Sequence, residues 1–157
     1  MKLRIVKVGK PREKEYEALV EGFRNRLKAF VKIEELEIKS KEGVEKSEKA
    51  LFEALGISSN EKKSSSDLLI ILDERGELWS STELASNIRK WGDDPAVKTV
   101  TFVVGGPYGL PLRLKEKADR VWGISKAVFP SDMAWLLVWE QIYRAYTLVN
   151  GIAYHHE

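Results

Sequence analysis

TVTFVVGGPYGL, residues Thr99 to Leu110, is the stretch on which the fold turns. Val100, Phe102, Val103 and Val104 form a short, nearly continuous apolar run. Such a run suits a strand buried on both faces of a parallel sheet. The strand exits into Gly105, Gly106, Pro107, Tyr108 and Gly109. Glycines at the carboxyl end of a buried strand let a ligand approach the backbone with no Cβ in the way. Open α/β sheets bind their ligands along that edge. A double glycine also serves a tight turn into a helix, so the neighbouring segments must decide between a ligand cradle and a turn.

Upstream, Leu68 to Leu72 is another wholly apolar strand, leaving into Asp73, Glu74, Arg75 and Gly76. Ser80 and Glu83 have the spacing of a capping box. The helix behind them carries Leu84, Ile88 and Trp91 and is closed by Gly92. Nearer the amino terminus, Leu3, Ile5, Val6 and Val8 make a strand ended by Gly9 and Pro11. Tyr16, Leu19, Val20, Phe23, Leu27 and Phe30 recur at steps of three and four, which predicts a helix. Ile33, Leu36 and Ile38 suggest a strand whose alternation slips at Glu34–Glu35. Val44, Leu51 and Leu55 form a helical stripe stopped by Gly56, and Ser58 to Ser66 is a polar, serine-rich connection. Downstream of the glycines come a short helix over 110–118, a strand from Val121 to Ile124, a loop from Ser125 to Ser131, and Asp132 in position to cap a last helix. Strands alternating with helices give an α/β protein with a mainly parallel sheet flanked by helices. The length of 157 residues suits a single domain.

The last helix, Met133 to Val149, is apolar around most of its circumference, with only Glu140, Arg144 and Thr147 as a polar stripe. A helix of that kind is buried on nearly all sides. Either one face packs on its own sheet and another on a second copy of the chain, or the helix is the core of a monomer. We take the first as the expectation: a homodimer through the C-terminal helix.

The hydrophobic fraction of 43% and charged fraction of 32% are those of a water-soluble globular chain. No apolar run approaches the roughly 18 residues of a membrane span, and MKLRIVKVGK reads as a strand rather than a signal peptide. Cysteine is absent, which excludes disulfides and thiolate metal sites. These features point to the cytoplasm. Net charge is only +2, but residues 1–30 hold nine Lys/Arg against four Glu. That basic face suits a polyanion, or is simply solvated surface.

Gly105, Gly106 and Gly109 do not fit the dinucleotide fingerprint, and Gly109-Leu110-Pro111 does not complete a phosphate loop. No G-x-S-x-G elbow is present. Three strand ends do converge on one edge: Leu72-Asp73 with Gly76, Val104-Gly105-Gly106, and Ile124-Ser125 onward. Loops rich in backbone donors and acceptors suit a flat heterocycle such as adenine.

Five segments, VKVGK (6–10), LDERGELWSS (72–81), FVVGGPYGL (102–110), ISKAVFP (124–130) and EQIYRAYTLVNGIAYHHE (140–157), resemble the ribosomal RNA large-subunit methyltransferase H family, small proteins of the SPOUT class. The resemblance runs from end to end. It implies a trefoil knot in the C-terminal half, S-adenosylmethionine as cofactor, an obligate dimer through the last helix, and methylation of a pseudouridine at N3 in large-subunit rRNA of the assembled ribosome. By the same resemblance the cofactor is held by Leu72, Gly105, Ile124, Ser125, Lys126, Ala127, Val128 and Phe129. By pattern alone, Leu72 and Ile124 read as ordinary core residues. Tyr154 and His155 match the family's terminal pair, which reaches the active site and would be catalytic. His155 has the residue type of a general base. Two adjacent histidines do not make a metal site. The resemblance also exposes departures: relatives carry His where this chain has Ser131, Arg where it has Trp135, and Arg or Lys where it has His156. These changes leave open a second reading, a non-catalytic ribosome-binding dimer or an enzyme with an altered RNA target.

Overall fold

The computed structural model describes residues 1–39, 44–57 and 64–154. Five parallel strands form one sheet in the order β2-β1-β4-β3-β5. They are β1 (Lys2–Val8), β2 (Lys32–Ile38), β3 (Asp67–Leu78), β4 (Thr99–Val104) and β5 (Arg120–Gly123). Between them run α1 (Lys14–Leu27), α2 (Val44–Leu55), α3 (Ser81–Asp93) and α4 (Leu112–Glu116), and α5 (Ser131–Val149) follows the last strand.

The apolar run at 99–104 is the centre of the sheet, and all six residues of β4 are buried. Period two along each strand sends alternate residues to opposite faces. Ile5, Ile70 and Phe102 pack with Val20, Leu84, Trp139 and Ile142 from α1, α3 and α5. Val6, Ile71 and Val103 pack with Leu51, Leu55 and Leu114 from α2 and α4. Two cores on two faces explain why these strands are continuously apolar.

Several elements differ from the sequence reading for identifiable reasons. The slip at Glu34–Glu35 does not break β2, which keeps register with β1 from Lys2↔Lys32 to Val8↔Ile38. β2 is an edge strand, so its carboxylates find cations. Glu34 accepts from Arg4 Nε at 2.9 Å, and Glu35 accepts from Arg24. On α1, Leu19 is exposed, and Phe30 lies past the helix end, packed on Tyr143 and Tyr146. The strand expected over 68–72 continues to Leu78 after a jump: Leu72 and Glu77 both pair with Trp122, and residues between them bulge out. The capping box at α3 is present, with Ser80 Oγ accepting from Glu83 N at 3.2 Å and Glu83 Oε2 from Ser80 N at 2.7 Å. Gly92 does not end that helix, which runs on to Asp93. Leu51 and Leu55 bury the α2 stripe as expected. Most of the serine-rich connection, residues 58–63, lies outside the described residues.

Asp132 does not cap α5. The helix begins at Ser131, two residues before the expected Met133, and Pro130 holds the cap position with no side-chain hydrogen bond. Around α5, the sheet, α1 and α3 bury Trp135, Val138, Trp139, Ile142 and Tyr146 within the chain itself. Thr147 is not part of an exposed polar stripe either. It is buried, and its hydroxyl donates to the Arg144 carbonyl at 2.7 Å. Among the described residues, no helix is long and apolar enough to cross a membrane.

Candidate active site

The C-terminal ends of β3, β4 and β5 open along one edge of the sheet into a cleft of about 730 Å³. Parallel strands point their free backbone groups the same way at this edge, which is why ligand sites of α/β folds recur there. Leu72, Trp122, Ile124 and Phe129 supply apolar wall. Gly105, Ser125, Ala127 and Val128 also line it, so seven of the eight residues expected to hold a cofactor meet in one cavity. Lys126 is the exception: it is exposed and does not line the cleft. Val128 is 78% exposed at the rim.

The loops are shaped by local hydrogen bonds. After β4, Gly109 N donates to the Gly106 carbonyl at 2.9 Å, and Gly109 takes φ +77°, which favours glycine. Gly105, which lines the cleft, also has a reason within its own loop to be glycine. A Cβ there would stand 3.1 Å from Leu110 Cγ and 3.2 Å from the Gly109 carbonyl carbon. The bare backbone accommodates the returning limb of its own turn. In the loop after β5, Ala127 N donates to Ser125 Oγ at 3.0 Å.

Charged groups surround this frame, and most are paired. Asp73, where β3 begins to bulge, accepts from Lys115 of α4 and from the Arg75 backbone N–H. Burial opposes its ionisation, but those two donors outweigh it and hold its carboxyl below the usual carboxylate range. Asp132 Oδ1 lies 2.8 Å from Lys7 Nζ, and its Oδ2 accepts from the Arg12 backbone N–H at 2.9 Å. Burial again pushes the pKa up, and the Arg12 and Lys7 contacts bring it below the usual range. Lys7 Nζ also donates to the Gly9 carbonyl at 3.1 Å and sits 5.5 Å from the centroid of the Trp135 ring. So where relatives are expected to carry Arg at 135, this chain buries a tryptophan and brings a cation to it from β1. Ser131 lines the cleft.

Sequence reasoning named Asp73 only as part of a strand end, and missed Arg12 and the Lys7–Asp132 pair. Arg12 had one available signal, its place in the basic amino-terminal segment. Asp132 was visible only as a capping residue type. Nothing along the chain announced its partners, which are more than 100 residues distant.

Trp122 has a further feature. It is buried, stacks on Trp79 with centroids 5.7 Å apart, and its indole N–H has no hydrogen-bond partner among the described residues. The Trp139 N–H and the Tyr146 O–H, away from the cleft, are likewise without a partner among those residues, so the fit of the cleft to a ligand rests on its size and lining. The volume lies within the roughly 300–1,000 Å³ of small-molecule sites.

The tail is placed elsewhere. Tyr154 does not line the cleft. Its ring meets Tyr143 edge-on at 4.8 Å, Arg144 lies 4.8 Å from the ring centroid, and its hydroxyl donates to Glu140 Oε1 at 3.2 Å. Arg144 also donates to Glu140, at 2.5 Å. His155 lies outside the described residues, as does His156.

Comparison with known proteins agrees with this architecture. The family model described as "Predicted SPOUT methyltransferase" matches residues 1–155. A protein of Maridesulfovibrio salexigens named ribosomal RNA large subunit methyltransferase H is 35% identical over 99% of this chain and 98% of its own length. One of the same name from Gloeobacter violaceus is 32% identical over 99% of both chains. Among solved structures, a probable methyltransferase from Bordetella pertussis superposes with a TM-score of 0.57 at 16% identity, covering 92% of this chain and 94% of that one. A probable methylase family protein from Haemophilus influenzae gives 0.57 at 13% identity, covering 99% and 70%. At those identities the two structures speak for the fold alone. Sequence matches over the full length carry more: the chain belongs to the SPOUT methyltransferase family, in the group of the ribosomal RNA large subunit methyltransferase H proteins.

Proposed function

We propose that the protein is an S-adenosylmethionine-dependent methyltransferase that methylates N3 of a pseudouridine in large-subunit rRNA, with the assembled ribosome as substrate. The observation that carries this reading is the cleft itself. Three strand ends frame a cavity of cofactor size in a chain similar over its whole length to proteins named as rRNA methyltransferases.

Bound S-adenosylmethionine supplies an electrophilic methyl group. In this reading Leu72, Ile124 and Phe129 exclude water from it, and backbone groups near Gly105 and Ile124 hold the adenine and ribose. Alignment and exclusion of water are what a direct displacement requires. The imide N3–H must lose its proton, and His155 takes it, since an imidazole titrates near neutrality. Tyr154 contacts the target base. The packing of Tyr154 against α5, away from the lining of its own cleft, favours a homodimer in which the tail serves the partner's cleft. The reading includes the trefoil knot of the C-terminal half and action in the cytoplasm.

The test is incubation with labelled S-adenosylmethionine and ribosomes lacking the modification. The expected result is label on one pseudouridine, lost in His155→Ala. Label on another nucleotide, or on protein-free RNA in preference to ribosomes, would mean a different target. Absence of both transfer and cofactor binding would leave a non-catalytic ribosome-binding protein.

A further inference from the structure

Lys7 and Asp132 form an ion pair beside the cleft with only 5% and 7% of their surfaces exposed. A buried pair of this kind is seldom retained for stability, because desolvation offsets much of the attraction. Its geometry suggests what it does. Asp132 sits in the first turn of α5, and its second oxygen grips the backbone N–H of Arg12. Lys7 reaches from the end of β1 to the carbonyl of Gly9, at the start of the same β1–α1 connection. The two side chains therefore fasten both limbs of the segment Gly9–Arg12 to the wall of the cleft. That segment needs fastening: Gly9 takes φ +83°, and Pro11 has no N–H to contribute.

The fastened segment presents Arg12. Of the four charged residues lining the cleft, three are carboxylates that already have cations near them. Asp73 has Lys115, Asp132 has Lys7, and Glu74 has Arg75 at 3.8 Å. Among the described residues Arg12 is the one cation in the lining, and its guanidinium lies beyond ion-pair distance of any carboxylate, with Asp132 attracting it from farther off. It is exposed, and in sequence it lies between Lys10 and Lys14 with Glu13 beside it, all three exposed as well. An exposed guanidinium on a fixed backbone, with Lys10 and Lys14 two residues away on either side in sequence, suits the repeating phosphates of a polyanion. A small buried carboxylate would be met by a single interior cation.

We propose that Arg12 binds a backbone phosphate of the substrate RNA at the mouth of the cleft, and that the buried Lys7–Asp132 pair positions it to do so. The proposal rests on the methyltransferase reading and adds to it the group that registers the RNA over the site. Phosphate contacts of this kind fix orientation without reading sequence. Bidentate geometry favours Arg over Lys.

The test uses the full-length protein and large ribosomal subunits lacking the modification. Binding is followed with saturating S-adenosylhomocysteine over a range of salt, and methyl transfer is followed in parallel. Arg12→Ala should weaken subunit binding about tenfold and lower the salt slope by about 1. It should raise KM for the subunit by a similar factor with little change in kcat. Calorimetric affinity for S-adenosylhomocysteine should stay at the wild-type value. Arg12→Lys should restore the salt slope and part of the affinity. Asp132→Asn should weaken subunit binding, and adding it to Arg12→Ala should cost little more, because the carboxylate acts through the arginine. Unchanged subunit binding in Arg12→Ala overturns the proposal. Lost cofactor affinity in that variant overturns it too and gives the arginine to the cofactor's carboxylate. Additive losses in the double variant overturn the positioning role of Asp132. If the wild-type protein transfers no methyl group, the function reading fails separately, and the binding arm still decides the role of Arg12.

Discussion

Gly76 passes so close to Val121 that a Cβ on Gly76 would stand 2.6 Å from the Val121 carbonyl oxygen. The next contacts are backbone too, with Gly123 N at 2.8 Å. Here β3, after bulging out between Leu72 and Glu77, rejoins β5. Neither neighbour is a side chain that can swing aside. Gly76→Ala is therefore expected to force the strands apart and to destabilise the fold by about 1–3 kcal/mol, the usual range for overpacking. For a chain of this size that is a fall in Tm of several degrees, readable by calorimetric scanning. A variant as stable as the parent would show that the crossing has slack the structure does not reveal.

Gly105 calls for a graded test. Its Cβ would crowd Leu110 and Gly109 at 3.1–3.3 Å, contacts that a small shift of the turn relieves. Gly105→Ala should keep the fold and weaken S-adenosylhomocysteine binding about tenfold, because the turn that moves is part of the cleft. Gly105→Val should abolish binding and lower Tm as well. Calorimetry on both variants checks this. Equal affinity in Gly105→Ala and the parent would separate the turn from the ligand site.

The sequence made the sheet legible because two cores impose continuous apolar runs on β3 and β4, and because Gly105-Gly106 marks where β4 must stop. It made the cleft legible only as three strand ends converging. The bulge at 73–76 was hidden, since its cause is an approach to Val121 that no local pattern encodes. The role of Asp132 was hidden for the same reason. An Asp at a helix start looks like a cap from sequence, and only the fold brings Lys7 and Arg12 to it. The apolar circumference of α5 was read as needing a partner, yet α1 and α3 cover most of it.

Asp73 gives a pH signature. Burial raises its pKa, but the Lys115 hydrogen bond and the Arg75 N–H prevail, so the folded value lies below the unfolded value of about 3.9. A depressed carboxyl contributes stability that is fully present above the unfolded value and is lost as pH falls through the folded one. Asp132, Glu34 and Glu83 are shifted in the same direction. Stability should thus be flat near neutrality and fall steeply below about pH 4. Asp73→Asn should be less stable than the parent at pH 7 and converge with it as pH falls through the folded value. Urea midpoints measured across that range check the prediction, and a constant gap at all pH values would refute it.

A homodimer through α5 would have to use the part of that helix its own chain leaves uncovered. Trp135 and Trp139 are buried inside their own chain, with 4% and 0% exposed, so a charge at either tests the core rather than an interface. The outward stripe of α5 runs instead through Met133 and Leu137, which join neither core cluster, and on to Glu140 and Arg144. These positions are spaced for one helix face. If two copies associate through α5, that stripe is where they meet, with Met133 and Leu137 as its apolar part. Leu137→Glu should then convert a dimer to a folded monomer, whereas Trp139→Glu should lose the fold. Sedimentation velocity at micromolar concentration, paired with circular dichroism, distinguishes the two. A parent protein that sediments as a single chain would remove the dimer. A Leu137→Glu protein that stays dimeric would move the interface to another face.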